Sequence, residues 1–178
     1  TLKELFNLGG KIALITGCKN LGYDAAEALA EMGATVVLTR RNLEEAKAAA
    51  LKLSEEMNSD AVGVSLEVTD EQNWEEVADN ILSEFGKIDI LINNAGGRNP
   101  TRVDDKTMED MMFGFLEGRS LEEWKYGIDV NLTSVFLGCK TVIPHMRRQG
   151  YGKIINIASI DGLLGRDLRI YNETGLSP

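Results

Sequence analysis

Short apolar runs and helical-period segments alternate along the chain. Ile12 to Ile15 is an apolar run of strand length, suited to burial on both faces of a sheet. It breaks at Thr16-Gly17 into a glycine-containing turn. A helical pattern starts at Gly22, with Ala25, Ala26, Leu29 and Met32 at helical spacing, and Gly33 closes it. Thr35 to Thr39 predicts a second strand. Asn42 followed by Glu45 predicts a capping-box start for a helix carrying Leu43, Ala46, Leu53 and Met57. Ala61 to Val68 predicts a third strand, and Thr69 or Asp70 caps a helix whose apolar face is Trp74, Val77, Ile81 and Phe85. Ile88 to Ile92 predicts a fourth strand, ending in Asn93-Asn-Ala-Gly-Gly97. Ser120 and Glu123 form another capping box, opening one long helical pattern from Leu121 to Met146. Lys153 to Ser159 predicts a fifth strand. Gly162 to Pro178 has no periodicity and is expected to be loop. Asp104 to Gly118, rich in Met and Phe, fits a loop with a helical turn packed on the body, or a lid or oligomer contact; the pattern leaves both open.

Five strands separated by helices predict a parallel sheet covered on both faces, with right-handed crossovers. The expected fold is a doubly wound α/β domain of Rossmann type, one domain across residues 1–178. In such a sheet, ligands bind outside the C-terminal strand ends. Thr16 to Gly22, Thr39-Arg40-Arg41, Glu67 to Asp70, Asn93 to Gly96 and Ser159 all fall there. A strand, a tight loop and a helix N-terminus present unpaired N–H groups and a favourable dipole to a phosphate. The convergence of five loops on one edge points to a dinucleotide.

Composition narrows the partners. The chain has 178 residues, 43% hydrophobic and 26% charged, which suits one globular domain. A formal net charge of −9 argues against nucleic acid or an anionic membrane. The sequence shows neither a run of about 18 apolar residues nor an export leader, so a cytoplasmic protein with no membrane span is expected. Cys18 and Cys139 are then expected to be free thiols. His145 is the single histidine, which argues against a metal site.

With these segments in place, the chain resembles the N-terminal two-thirds of a short-chain dehydrogenase/reductase. Gly10 to Gly17 is similar to the family's first strand and glycine turn, and Leu21-Gly22 with Leu29 to Ala34 to the helix that follows. Asn93-Asn-Ala-Gly96 is close to diagnostic. Asp129-Val-Asn-Leu132 and Ile154 to Ser159 resemble the segments bearing the family's active-site Asn and Ser. The resemblance implies hydride transfer between a nicotinamide cofactor and a carbonyl or alcohol substrate, with Asn131 and Ser159 as catalytic residues. In that mechanism a tyrosine is general acid or base, a lysine lowers its pKa, the serine holds the substrate oxygen and the asparagine anchors a water. It implies cofactor contacts at Gly17, Lys19, Asn20, Leu21, Gly22, Arg40, Glu67, Val68, Asn93, Ala95 and Gly96. It also implies a homodimer or homotetramer.

Charge argues the choice of cofactor. An acidic group usually ends strand two in an NAD enzyme, to bond the ribose 2′-OH. Here Thr39 and Arg40 stand there, with Lys19 in the glycine turn, so NADP(H) is favoured over NAD(H).

Three departures from the family pattern stand out. Tyr171 lies twelve residues after Ser159, but Gly175 stands where Tyr-x-x-x-Lys needs lysine, and no lysine follows Lys153. Tyr171 is therefore expected to be an ordinary loop tyrosine. The catalytic pair is expected beyond Pro178, leaving the fold incomplete at the C-terminus and this stretch inactive alone. Gly17 and Gly22 enclose a loop one residue short, with no middle glycine, and Glu67 replaces the usual Asp. The alternative to an enzyme is a non-catalytic nucleotide-binding or oligomerisation relative of the same fold. Asn93-Asn-Ala-Gly96 sets a methyltransferase aside.

Overall fold

The computed structural model describes residues 2–97 and 120–164. The Met- and Phe-rich segment 104–118, Tyr171 and most of the expected C-terminal loop lie outside the described residues. The apolar runs become the strands of one parallel sheet ordered β3-β2-β1-β4-β5. These are β1 (Ile12–Thr16), β2 (Thr35–Arg40), β3 (Ala61–Ser65), β4 (Ile90–Asn93) and β5 (Lys153–Asn156). The strand order reverses at β1, which pairs with β2 from Ile12↔Thr35 and with β4 from Ala13↔Ile90. That reversal is the switch point where an open α/β sheet leaves a crevice.

Helices cover both faces. After a four-residue turn of helix, α1 (Leu2–Leu5), come α2 (Leu21–Glu31), α3 (Leu43–Met57), α4 (Glu71–Phe85), α5 (Leu121–Ile128) and α6 (Ser134–Gln149). Alternate strand residues feed two cores, as the period of two requires. Ala13, Ile15, Val36 and Leu38 pack with Ala26, Ala30 and Leu53 of α2 and α3. Leu14, Val37 and Leu91 pack on the opposite face with Trp74, Val77 and Ile81 of α4 and Leu137 and Val142 of α6. The capping signals hold at Asn42, Asp70 and Ser120, each accepting from the N–H three residues on; only at Ser120 is the box reciprocal.

Several boundaries differ from expectation. The third strand ends at Ser65 because the Glu67 N–H is taken by Asn73 Oδ1 at 2.8 Å, which turns the chain into α4. β4 starts at Ile90, since Asp89 uses its side chain as a ladder partner, Oδ2 accepting from Ile12 N–H at 3.0 Å. Asp89 is buried, and Lys11 and Lys87 lie 3.2 and 3.4 Å from its carboxylate. The fifth strand ends at Asn156 in place of Ser159. The long helix is broken by a π turn, Asp129–Thr133, in which the Ser134 N–H reaches back five residues to Asp129 O. Ser134 Oγ donates to Val130 O at 2.7 Å in the same turn.

Candidate functional site

A cleft of about 400 Å³ opens where β1, β2 and β4 end, at the switch point. Gly17, Lys19, Asn20, Leu21, Arg40, Glu67, Val68, Ala95 and Gly96 line it. Of the eleven expected cofactor residues, Gly22 and Asn93 are placed otherwise.

Gly22 sits behind the loop. A Cβ there would stand 2.3 Å from Gly17 O and 2.4 Å from Asn94 Nδ2, so the first turn of α2 lies against the strand end only because position 22 has no side chain. The loop itself is closed by Gly22 N–H to Lys19 O at 3.2 Å and Tyr23 N–H to Asn20 O at 2.8 Å. Asn20, in the loop that has no middle glycine, takes φ 48° and ψ −128°. That backbone conformation suits glycine and strains other residues. The short loop thus keeps its glycine geometry with an asparagine in it.

Asn93 is buried and turned away from the cleft, its Nδ2 donating to Asn156 Oδ1 at 2.9 Å across β4 and β5. Asn94 faces the glycine turn. Its Nδ2 donates to Thr16 O at 2.9 Å, while its own N–H and that of Ala95 both donate to Thr16 Oγ1 at 2.9 Å. Thr16 and Asn94 therefore weld the two loops together; both lie in the segments expected at the strand ends, but neither was among the expected cofactor contacts. The signal was available, because successive strand side chains point to opposite faces and only one of two consecutive asparagines can face the turn.

At the end of β2 the Thr39 side chain is fully buried, its Oγ1 without a hydrogen-bond partner among the described residues. Arg40 reaches the cleft, and its Nε lies 2.9 Å from Glu45 Oε2. Lys19 Nζ lies 3.4 Å from the same oxygen. Glu67 Oε1 accepts from the Thr69 N–H at 3.3 Å and from its hydroxyl at 2.9 Å, which fixes the carboxylate at the mouth of α4. Val68 O accepts from the buried Trp74 Nε1 at 2.9 Å.

Beyond the end of β4, Asn131 makes a two-point bond to Gly97. Its Nδ2 donates to Gly97 O and its Oδ1 accepts from Gly97 N–H, each at 3.0 Å, while Nδ2 also donates to Gly127 O at 2.8 Å. The π turn thus joins the Asn93–Gly97 loop to α5. Ser159 is exposed past the end of β5, at the start of a single 3₁₀ turn whose Gly162 N–H donates to Ser159 O at 3.1 Å. Outside the cleft, Tyr23 ties α2 to α3. Its hydroxyl donates to Glu56 at 2.9 Å, and burial together with that bond pushes its pKa up to about 12. Among the described residues no His/Cys/Asp/Glu group is arranged to hold a metal, and no helix is long and apolar enough to cross a membrane.

Comparison with known proteins agrees with this architecture. A family model described as short chain dehydrogenase matches residues 11–171. The 3-alpha-(or 20-beta)-hydroxysteroid dehydrogenase of Mycobacterium tuberculosis is 38% identical over 157 residues, 88% of this chain and 54% of that protein. The 3-oxoacyl-(acyl-carrier-protein) reductase FabG of Escherichia coli is 36% identical over 160 residues, 89% of this chain and 59% of that protein. A crystal structure of NAD+-bound xylitol dehydrogenase superposes with a TM-score of 0.75 at 28% identity, over 94% of this chain and 60% of that one. The chain thus spans between half and three-fifths of the length of these relatives.

Proposed function

The chain belongs to the short-chain dehydrogenase family, and from that premise we propose that the protein is an oxidoreductase using NADP(H) on a carbonyl or alcohol substrate. The observation that carries this reading is the cleft at the switch point, where the glycine loop, the β2 cations and the Asn94–Gly97 loop meet in one space. The donor set fits the dinucleotide. The missing Cβ at Gly22 lets the N-terminus of α2 stand at the loop, where the positive end of the helix dipole favours a pyrophosphate. In this reading Lys19 and Arg40, which line the cleft, receive a 2′-phosphate, and Glu67 and Val68 contact the adenine edge. When bound, the nicotinamide supplies or accepts a hydride.

The remaining roles belong to the chain's own residues. Asn93, Ala95 and Gly96 shape the floor beside the nicotinamide, Asn93 from beneath by its bond to Asn156. Asn131 holds Gly97 and, in this reading, positions a water for proton relay. The Ser159 hydroxyl donates to the substrate oxygen. We extend the same reading to a cytoplasmic homodimer or homotetramer, because Trp124, Leu132 and Phe136 leave a broad apolar surface on α5, the π turn and α6.

A fluorescence titration of the intact protein with NADPH and with NADH tests the cofactor. NADPH is expected to bind about tenfold more tightly, the scale of one charge-assisted phosphate contact. Tighter NADH binding overturns the NADP(H) assignment.

A further inference from the structure

We infer that Glu45 sets how strongly this site discriminates between the two dinucleotides, by occupying the cations that would receive a 2′-phosphate. This inference rests on the cofactor site proposed above and concerns a residue outside the expected contacts.

Three elements bring the charges together. Lys19 comes from the loop after β1, Arg40 from the end of β2, and Glu45 from the first turn of α3. One oxygen, Glu45 Oε2, bridges both cations, at 2.9 Å from Arg40 Nε and 3.4 Å from Lys19 Nζ. The backbone of Glu45 is pinned by the cap, its N–H donating to Asn42 Oδ1 at 3.1 Å, so the carboxylate is delivered to this spot by the start of the helix. Arg41 also lines the cleft. Glu44, one residue earlier, pairs instead with Lys47 at 3.3 Å.

A 2′-phosphate carries about −1.5 to −2 charge and seeks the same N–H groups. Glu45 and the phosphate cannot both sit on the Nε edge of Arg40, and a carboxylate left beside a phosphate repels it. NADP+ must therefore displace Glu45, whereas NAD+, with a hydroxyl at that position, need not. All three side chains are partly exposed, so each ion pair is weak and displaceable. Glu45 tunes the preference and does not abolish NADP+ binding.

The test is calorimetric titration of the intact protein with NADP+ and NAD+, comparing wild type, Glu45→Gln and Glu44→Gln. Glu45→Gln keeps the cap and removes the charge. It is expected to tighten NADP+ roughly tenfold, shifting the NADP+/NAD+ preference by that factor. Glu44→Gln removes the same formal charge one residue away and is expected to change NADP+ affinity less than twofold. NADP+ affinity that is unchanged, weaker or undetectable in Glu45→Gln overturns the inference. So does equal tightening by Glu44→Gln or toward NAD+. Failure of the NADP(H) assignment reads differently: it appears in the wild-type preference, whereas the role of Glu45 appears in the change on substitution.

Discussion

β2 and β5 stand on opposite flanks of the switch point and are finished differently. β2 lies between β1 and β3, with Val36 to Thr39 all fully buried. β5 pairs with β4 alone among the described residues, and Ile155 and Ile157 are 46% and 40% exposed. Arg40, Glu67 and Val68, proposed to hold the adenosine end of the cofactor, are set on the first flank and Ser159 at the end of the second. Recognition, as proposed, thus rests on packing that tolerates little change, while the proposed Ser159 chemistry follows a strand that is more exposed among the described residues.

The largest effect expected from this contrast is in paired truncations. Leu38→Ala, at a fully buried position of β2, is expected to cost about 2–5 kcal/mol in urea unfolding. Ile155→Ala is expected to cost less than about 1 kcal/mol, because much of that side chain is already in water. Equal costs would break the comparison. A second experiment asks where strain is stored. Asn20→Gly should raise stability by about 0.5–1 kcal/mol, since glycine accepts φ 48° and ψ −128° without penalty. A lower melting temperature for that variant would show that the asparagine side chain contributes more than its backbone loses.

The smallest effect is one of pH. Burial, and then the Arg148 guanidinium whose Nη2 lies 2.6 Å from Nδ1, hold the His145 imidazole below its ordinary pKa of 6.5. The unfolded chain then binds more protons than the fold near and below pH 6.5. Stability contributed by neutral His145 is present above that pH and is lost as pH falls through the folded pKa. His145→Asn should flatten that slope on the α6 side, and the ring's proton NMR titration should fall below 6.5, unambiguous because the chain has one histidine.

Much of the fold was legible because local signals agreed with one another. Apolar runs of strand length, capping residues and closing glycines marked the five described strands, the helices α2 to α4, and the stretch of α5 and α6 as one helix, and Asn93 to Gly96 was close to diagnostic of the family. The errors arose where one side chain redirected the backbone. Asn73 drew the chain out of β3, Asp89 replaced a ladder bond before β4, and a single extra residue in the π turn left the apolar periodicity of α5 and α6 nearly intact. In the site, the glycine loop, Arg40 and the Asn-rich loop could be found from spacing. Glu45 could not, because its sequence role as a capping-box partner is local, whereas its ion pairs reach across two loops. Neither did run length or composition reveal that Thr16, a residue ending a strand, closes the site.

Thr16 has a consequence for how the molecule assembles. Its hydroxyl receives the Asn94 and Ala95 N–H groups from 78 and 79 residues away, across three other elements of sheet and their helices. β1 can find β2 early, since Ile12 meets Thr35 through one short crossover. Bringing β4 home requires a far longer chain closure. The cleft therefore does not exist in any partly folded form that lacks the β1–β4 pairing. Cofactor affinity, as proposed, then requires the β1–β4 pairing, and a bound dinucleotide, by favouring only the form that has it, would slow its unfolding.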